Sequence, residues 1–136
     1  MRQHPDPPVF PVTGKYRRFL PIDERVVDDL DAFMRNNKEY GRLKAILEAI
    51  CNSEKACHPK LSKMVGPGLW ELGDFGQAGL LKGQGRLYLY RAPLDGFDTF
   101  LICAFRRKKK QRVEKGIEQQ VTSAALAFMD RRRTRR

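Results

Sequence analysis

With 136 residues, the chain is long enough for one domain with a packed core and too short for two comfortable ones. Its formal net charge of +11 is concentrated in residues 106–136, where 12 Lys/Arg stand against Glu114, Glu118 and Asp130, so the first 105 residues are nearly balanced. Such a basic face attracts nucleic acid or an anionic membrane surface; the lack of a leader-like start or an apolar run of about 18 residues excludes a membrane span, and three cysteines without framework spacing point to a reduced, cytoplasmic, soluble protein.

Residues 1–14 hold four of the eight prolines and read as a flexible, extended arm, followed by a domain over 15–130 and a basic tail over 131–136. Lys15 to Leu20 is a candidate first strand, stopped by Pro21. Ile22, Val26, Val27, Leu30, Phe33 and Met34 then form a one-sided helical stripe, and Asn36-Asn37 is a plausible stop. Tyr40, Leu43, Ile46, Leu47 and Ile50 repeat the pattern through Cys51, which predicts a helical hairpin lying on an apolar surface.

After His58-Pro59 the period changes. Gly66-Pro67-Gly68 introduces a strand over Leu69–Leu72, and the glycine-rich residues 73–85 read as a loop or a frayed strand. A β-prone segment, Arg86–Arg91, precedes the hairpin signal Asp95-Gly96 and a return strand over Thr99–Phe105. That strand runs straight into five consecutive cations, Arg106 to Lys110, with Arg112 close behind. Cations at the end of an ordered strand are held on a rigid edge, where they can position a polyanion; the bland alternative is a solvated charge run. Val113, Ile117, Val121, Ala124, Ala125 and Phe128 share one face of a closing helix. Strands joined by short connections must be antiparallel, so the expected fold is α+β, with the helical hairpin and the C-terminal helix packed on a twisted antiparallel sheet.

Within this order, His58-Pro59, Gly68-Leu69-Trp70-Glu71-Leu72, Gly85-Arg86-Leu87-Tyr88-Leu89-Tyr90 and Ala104-Phe105-Arg106-Arg107-Lys108 are four local patterns. Their order and spacing over residues 58–118 resemble the RelE/HigB superfamily of toxins, in particular its HigB-like, phage-associated branch. Gly73 stands where the resemblance leads one to expect an arginine, and the start of the last helix carries no tyrosine.

The resemblance implies a RelE-like fold and the toxin of a type II toxin–antitoxin pair. It implies an mRNA endoribonuclease acting with the ribosome, neutralised by an antitoxin of helix-turn-helix type. In that chemistry a ribose 2′-OH attacks the adjacent phosphate, so a proton acceptor, a proton donor and cations facing the phosphorane suffice without a metal or other cofactor. Arg86 matches the strand arginine that grips the scissile phosphate, because a guanidinium can hold two phosphate oxygens at once. Arg107 and Lys108 match the basic pair that stabilises the transition state. Lys109, Lys110 and Arg112 follow as backbone clamps. His58 is the candidate for proton transfer, with Glu71 an alternative base or a partner for a nearby cation.

Alternation puts Tyr88 and Tyr90 on one strand face and Leu87 and Leu89 on the other. The tyrosines then either offer a stacking surface to RNA bases or pack beneath a helix. Cys51, Cys57 and His58 lack the paired spacing of a metal knuckle and read as packing thiols and a single histidine. A competing function is a non-catalytic, nucleic-acid-binding or ParE-like module that inhibits a topoisomerase or another host target.

Overall fold

The computed structural model describes residues 10–37, 40–73, 84–108 and 116–134, with side chains described for 10–33, 41–73, 85–106 and 116–133. In chain order the elements are β1 (Val12–Thr13), β2 (Arg18–Pro21), α1 (Glu24–Asn37), α2 (Tyr40–Cys51), β3 (Leu61–Lys63), β4 (Leu69–Gly73), β5 (Gln84–Leu94), β6 (Phe97–Lys108) and α3 (Ile117–Thr134). The six strands form one sheet in the order β1-β2-β6-β5-β4-β3.

The strand with apolar residues on both faces, β6, has a neighbour on each side. Phe100 and Ile102 belong to the cluster under α1 and α2, whereas Leu101, Cys103 and Ala104 belong to the cluster under α3. A strand buried on both faces belongs in the middle of a sheet. The edge of β6 not taken by β5 is filled by β2, which pairs parallel to it with Arg18 beside Thr99 and Leu20 beside Leu101.

The expected all-antiparallel sheet is therefore corrected to a mixed one. The short-connection argument holds for β3 to β6, which pair antiparallel in sequence order. It fails for β2, whose neighbour lies about 80 residues further along the chain. Parallel pairing requires a long crossover, and the intervening α1, α2 and β3–β5 supply it.

Each helix has a local cause. Asp23 Oδ1 accepts the Val26 backbone N–H at 2.9 Å and so caps α1. Val26, Leu30 and Phe33 of α1, with Leu43, Ile46, Leu47 and Ile50 of α2, then close one face of the sheet. Ile117, Val121 and Ala125 of α3 close the other. The hairpin between β5 and β6 turns at Asp95 (φ 55°) and Gly96 (φ 77°), both in the left-handed region that a tight two-residue turn needs.

Three boundaries differ from expectation. Val12, placed in the flexible arm, is buried in the core, and β1 pairs with β2; residues 1–9 of that arm lie outside the described residues. The edge strand β3 was not anticipated, since Leu-Ser-Lys carries too little periodicity to mark a strand. The tail arginines 131–133 are part of α3, where cations favour the negative end of the helix. Among the described residues no helix is long and apolar enough to cross a membrane.

Candidate functional site: a cationic row at one end of the sheet

At the end of the sheet away from the Asp95-Gly96 turn, four positions line up across the strands. The Gly73 N–H of β4 donates to the Lys60 carbonyl just before β3 at 2.9 Å. Gly73 is the register partner of Arg86 on β5, and Arg86 is that of Arg106 on β6. Directly opposed residues share a sheet face, so Arg86 and Arg106 stand side by side. Tyr88, two residues beyond Arg86, packs in the cluster under α3, which makes this the α3 face.

Arg86 is only 6% exposed. Its Nη1 donates to both Oε1 and Oε2 of Glu71 at 3.2 Å, and its Nε has no hydrogen-bond partner among the described residues. Glu71 lies two residues before Gly73, on the same face. A side chain at Gly73 would touch the guanidinium, since a Cβ there would stand 3.8 Å from Arg86 Cζ and Nη1. The guanidinium thus lies over the bare glycine where the resemblance expects a second arginine.

Arg106 is half-buried, and its Nη1 donates to the Phe105 carbonyl at 3.0 Å. A β-bulge decides its position. Counting back from the Leu94–Phe97 pair, an unbroken ladder puts Phe105 opposite Arg86, but the register shifts between Tyr88 and Leu89. Cys103 and Ala104 then both face the α3 cluster, Phe105 packs against the other cluster beside Phe33, and Arg106 comes level with Arg86. The sequence names Arg106 within the cationic run but not as the neighbour of Arg86, because nothing in it marks the bulge.

The other expected site residues lie in different settings. The backbones of Arg107 and Lys108 continue β6, in register with Gly85 and Gln84, so the site extends toward them along the strand. Lys109, Lys110 and Arg112 lie outside the described residues.

Tyr88 is fully buried, packed with Leu101, Ala104, Ile117 and Val121 beneath α3. No ring face is left for a base, so its expected RNA-stacking role is corrected to core packing. Tyr90 packs against the same cluster but keeps some exposure, its ring lying close over Gly68.

His58 is partly exposed in the connection before β3. Its Nδ1 accepts the Lys60 N–H at 3.1 Å, leaving Nε2 for any proton transfer. Burial, helped by the Lys60 charge, lowers its pKa below the ordinary 6.5, so the ring is predominantly neutral at pH 7. Lys60, whose N–H His58 accepts, stands two strand spacings, roughly 10 Å by backbone, to the side of Arg86 in the row.

Cys51 and Cys103 are buried, and that burial pushes their thiols up to about 11 and about 12 respectively, as expected of packing cysteines. The shallow cavity of about 180 Å³ lined by Pro93, Leu94, Asp95, Met129, Arg132 and Arg133 belongs to the turn end of the sheet, remote from the row.

Comparison of the chain with family models, with curated proteins and with solved structures finds no match.

Proposed function

We propose that the chain is the toxin of a toxin–antitoxin pair, a RelE/HigB-like endoribonuclease that cleaves mRNA on the ribosome without a metal. The observation that carries this reading is Arg86. A residue only 6% exposed, at the end of a sheet, next to a second arginine and bonded, among the described residues, to one carboxylate at 3.2 Å, suits a phosphodiester better than it suits a purely structural pair. The element order supports the same reading: two short strands, a helical hairpin, four antiparallel strands and a closing helix, with β2 beside β6.

In this mechanism Arg86 and Arg106 grip the non-bridging oxygens of the scissile phosphate. The 2′-OH proton passes to His58 Nε2, the 2′-oxygen bonds to phosphorus, and the P–O5′ bond breaks. The departing 5′-oxygen takes a proton from solvent beside the Arg107–Lys108 pair. The partners are mRNA, the ribosome and an antitoxin of helix-turn-helix type, and the compartment is the cytoplasm.

Expression in a bacterial host should halt translation and leave truncated mRNAs ending in 2′,3′-cyclic phosphate, with full cleavage by the purified protein in a chelator. Arg86→Ala should lower the cleavage rate by about 10²–10³-fold, as for the loss of one oxyanion donor. His58→Ala should lower it by about 10²–10⁴-fold. Because the His58 pKa lies below 6.5, activity should hold at neutral pH and fall only as the ring gains its proton in more acidic solution.

One alternative is favoured by specific observations. Gly73 in place of the expected arginine and the burial of Tyr88 suit a non-catalytic, ParE-like inhibitor of a topoisomerase. Intact mRNA with failing DNA supercoiling would decide for it.

A further inference from the structure

We propose that Glu71 is a built-in occupant of the Arg86 anion site, a carboxylate that an incoming phosphodiester displaces, so that the site is held closed in the free protein and opens by ligand exchange. This deepens the reading of Arg86 as the phosphate site and rests on it.

The geometry of the pair is the argument. A carboxylate that completes an arginine usually meets two different nitrogens of the fork, at about 2.7–2.9 Å. Here both Glu71 oxygens sit on the single nitrogen Nη1, each at 3.2 Å, and Nε is buried with no partner among the described residues. A buried N–H of a charged group without an acceptor is costly. The contrast with Arg91 in the same chain is direct: its Nε and Nη2 meet Asp98 Oδ1 and Oδ2 at 3.0 and 2.8 Å, a full fork.

Glu71 therefore neutralises Arg86 without saturating it. A phosphodiester offers two oxygens that can take Nε and an Nη together, a better acceptor set than the one in place. No Gly73 side chain stands against the guanidinium, and Arg106 lies on the adjacent strand as a second cation. Glu71 keeps 18% side-chain exposure, against 8% for Arg86, so it is the partner freer to turn toward solvent and uncover the guanidinium. Without such an occupant, a buried guanidinium would face an uncompensated desolvation cost whenever the site is empty.

The probe is a labelled, non-cleavable 2′-deoxy oligonucleotide, its binding followed by fluorescence anisotropy and thus independent of cleavage. Glu71→Gln should bind it on the order of tenfold more tightly, as the loss of one like charge a few ångström from the phosphate implies. The double variant Glu71→Gln/Arg86→Ala should bind no better than Arg86→Ala alone. An equal gain from Glu71→Gln with and without Arg86 would overturn the proposal, since the effect would then be one of net charge.

Unchanged or weaker binding by a folded Glu71→Gln variant also overturns it while leaving Arg86 as the phosphate site. Oligonucleotide binding that ignores Arg86→Ala brings down the phosphate site itself. Should Glu71→Gln fail to fold, the wild-type protein decides by NMR. The Arg86 Nε–H resonance should move downfield as inorganic phosphate is added, and no movement at saturation refutes the exchange.

Discussion

The two ends of the sheet are both rich in arginine, yet they use it in opposite ways. At the turn end, Arg17 is 3% exposed and engaged at all three nitrogens: Nη1 donates to the carbonyls of Ile50 at 2.6 Å and Ser53 at 2.5 Å, Nη2 to that of Glu54 at 2.9 Å, and Nε to Asp98 Oδ2 at 3.1 Å. These carbonyls belong to the end of α2 and the residues after it, so one side chain closes the helix terminus and ties it to β6. Arg91 adds a fork to the same Asp98 while its guanidinium lies over the rings of Trp70 and Phe100, and Arg18 and Arg132 share Asp95. At the far end Arg86 is almost as buried but, among the described residues, meets one carboxylate, held on one nitrogen. Burial alone therefore does not separate an arginine whose three nitrogens are all engaged from one that keeps an unengaged nitrogen; the number and placement of acceptors does.

The sharpest test of that contrast is stability. Arg17→Met should lower the unfolding free energy by about 3–5 kcal/mol, the scale for removing one partner of a buried ion pair, and denaturant titration measures it. A loss below about 1 kcal/mol would mean that the turn end is not an anchor.

Next in size is salt dependence. Arg106→Ala should reduce the slope of log RNA affinity against log salt by roughly one, whereas replacing Arg17 should leave it unchanged. Replacing Arg107, Lys108, Lys109 and Arg112 together should flatten the slope by several contacts. Equal slopes for the Arg106 and Arg17 variants would erase the functional distinction between the two ends.

The smallest effect is on the acid limb of stability. Burial alone would raise the Asp98 carboxyl, but hydrogen bonds from Arg91 and Arg17, together with their charges, carry it below its ordinary 3.8. A carboxyl lowered in the folded state lends stability that is complete above its unfolded pKa and is lost as pH falls through the folded one. Asp98→Asn should flatten that decline below pH 3.8, and an unaltered profile would show that the forked pair contributes little.

Much of the scaffold was legible in the linear order. Helical stripes at Val26, Leu30 and Phe33 and at Leu43 and Leu47 and the alternating Leu87 and Leu89 landed in the core, and Asp95-Gly96 forms the exposed hairpin turn, as expected, because period and turn chemistry are local properties. Arg86 became a site candidate only through the family resemblance that its neighbours in the chain carry. What those neighbours could not supply was what faces it.

Arg106 reaches it only through a bulge, Glu71 only through the register of β4 on β5, and β2 joins β6 only because a strand apolar on both faces must be covered on both edges. Arg17 gave no signal at all, since its acceptors are backbone carbonyls 33 to 37 residues away and a carboxylate 81 residues away. Sequence thus determined which segments became helix or strand and which faces were apolar, through interactions among residues a few positions apart. Tertiary structure alone decided which charges meet, because pairing partners are set by sheet register, and a one-residue slip changes every one of them.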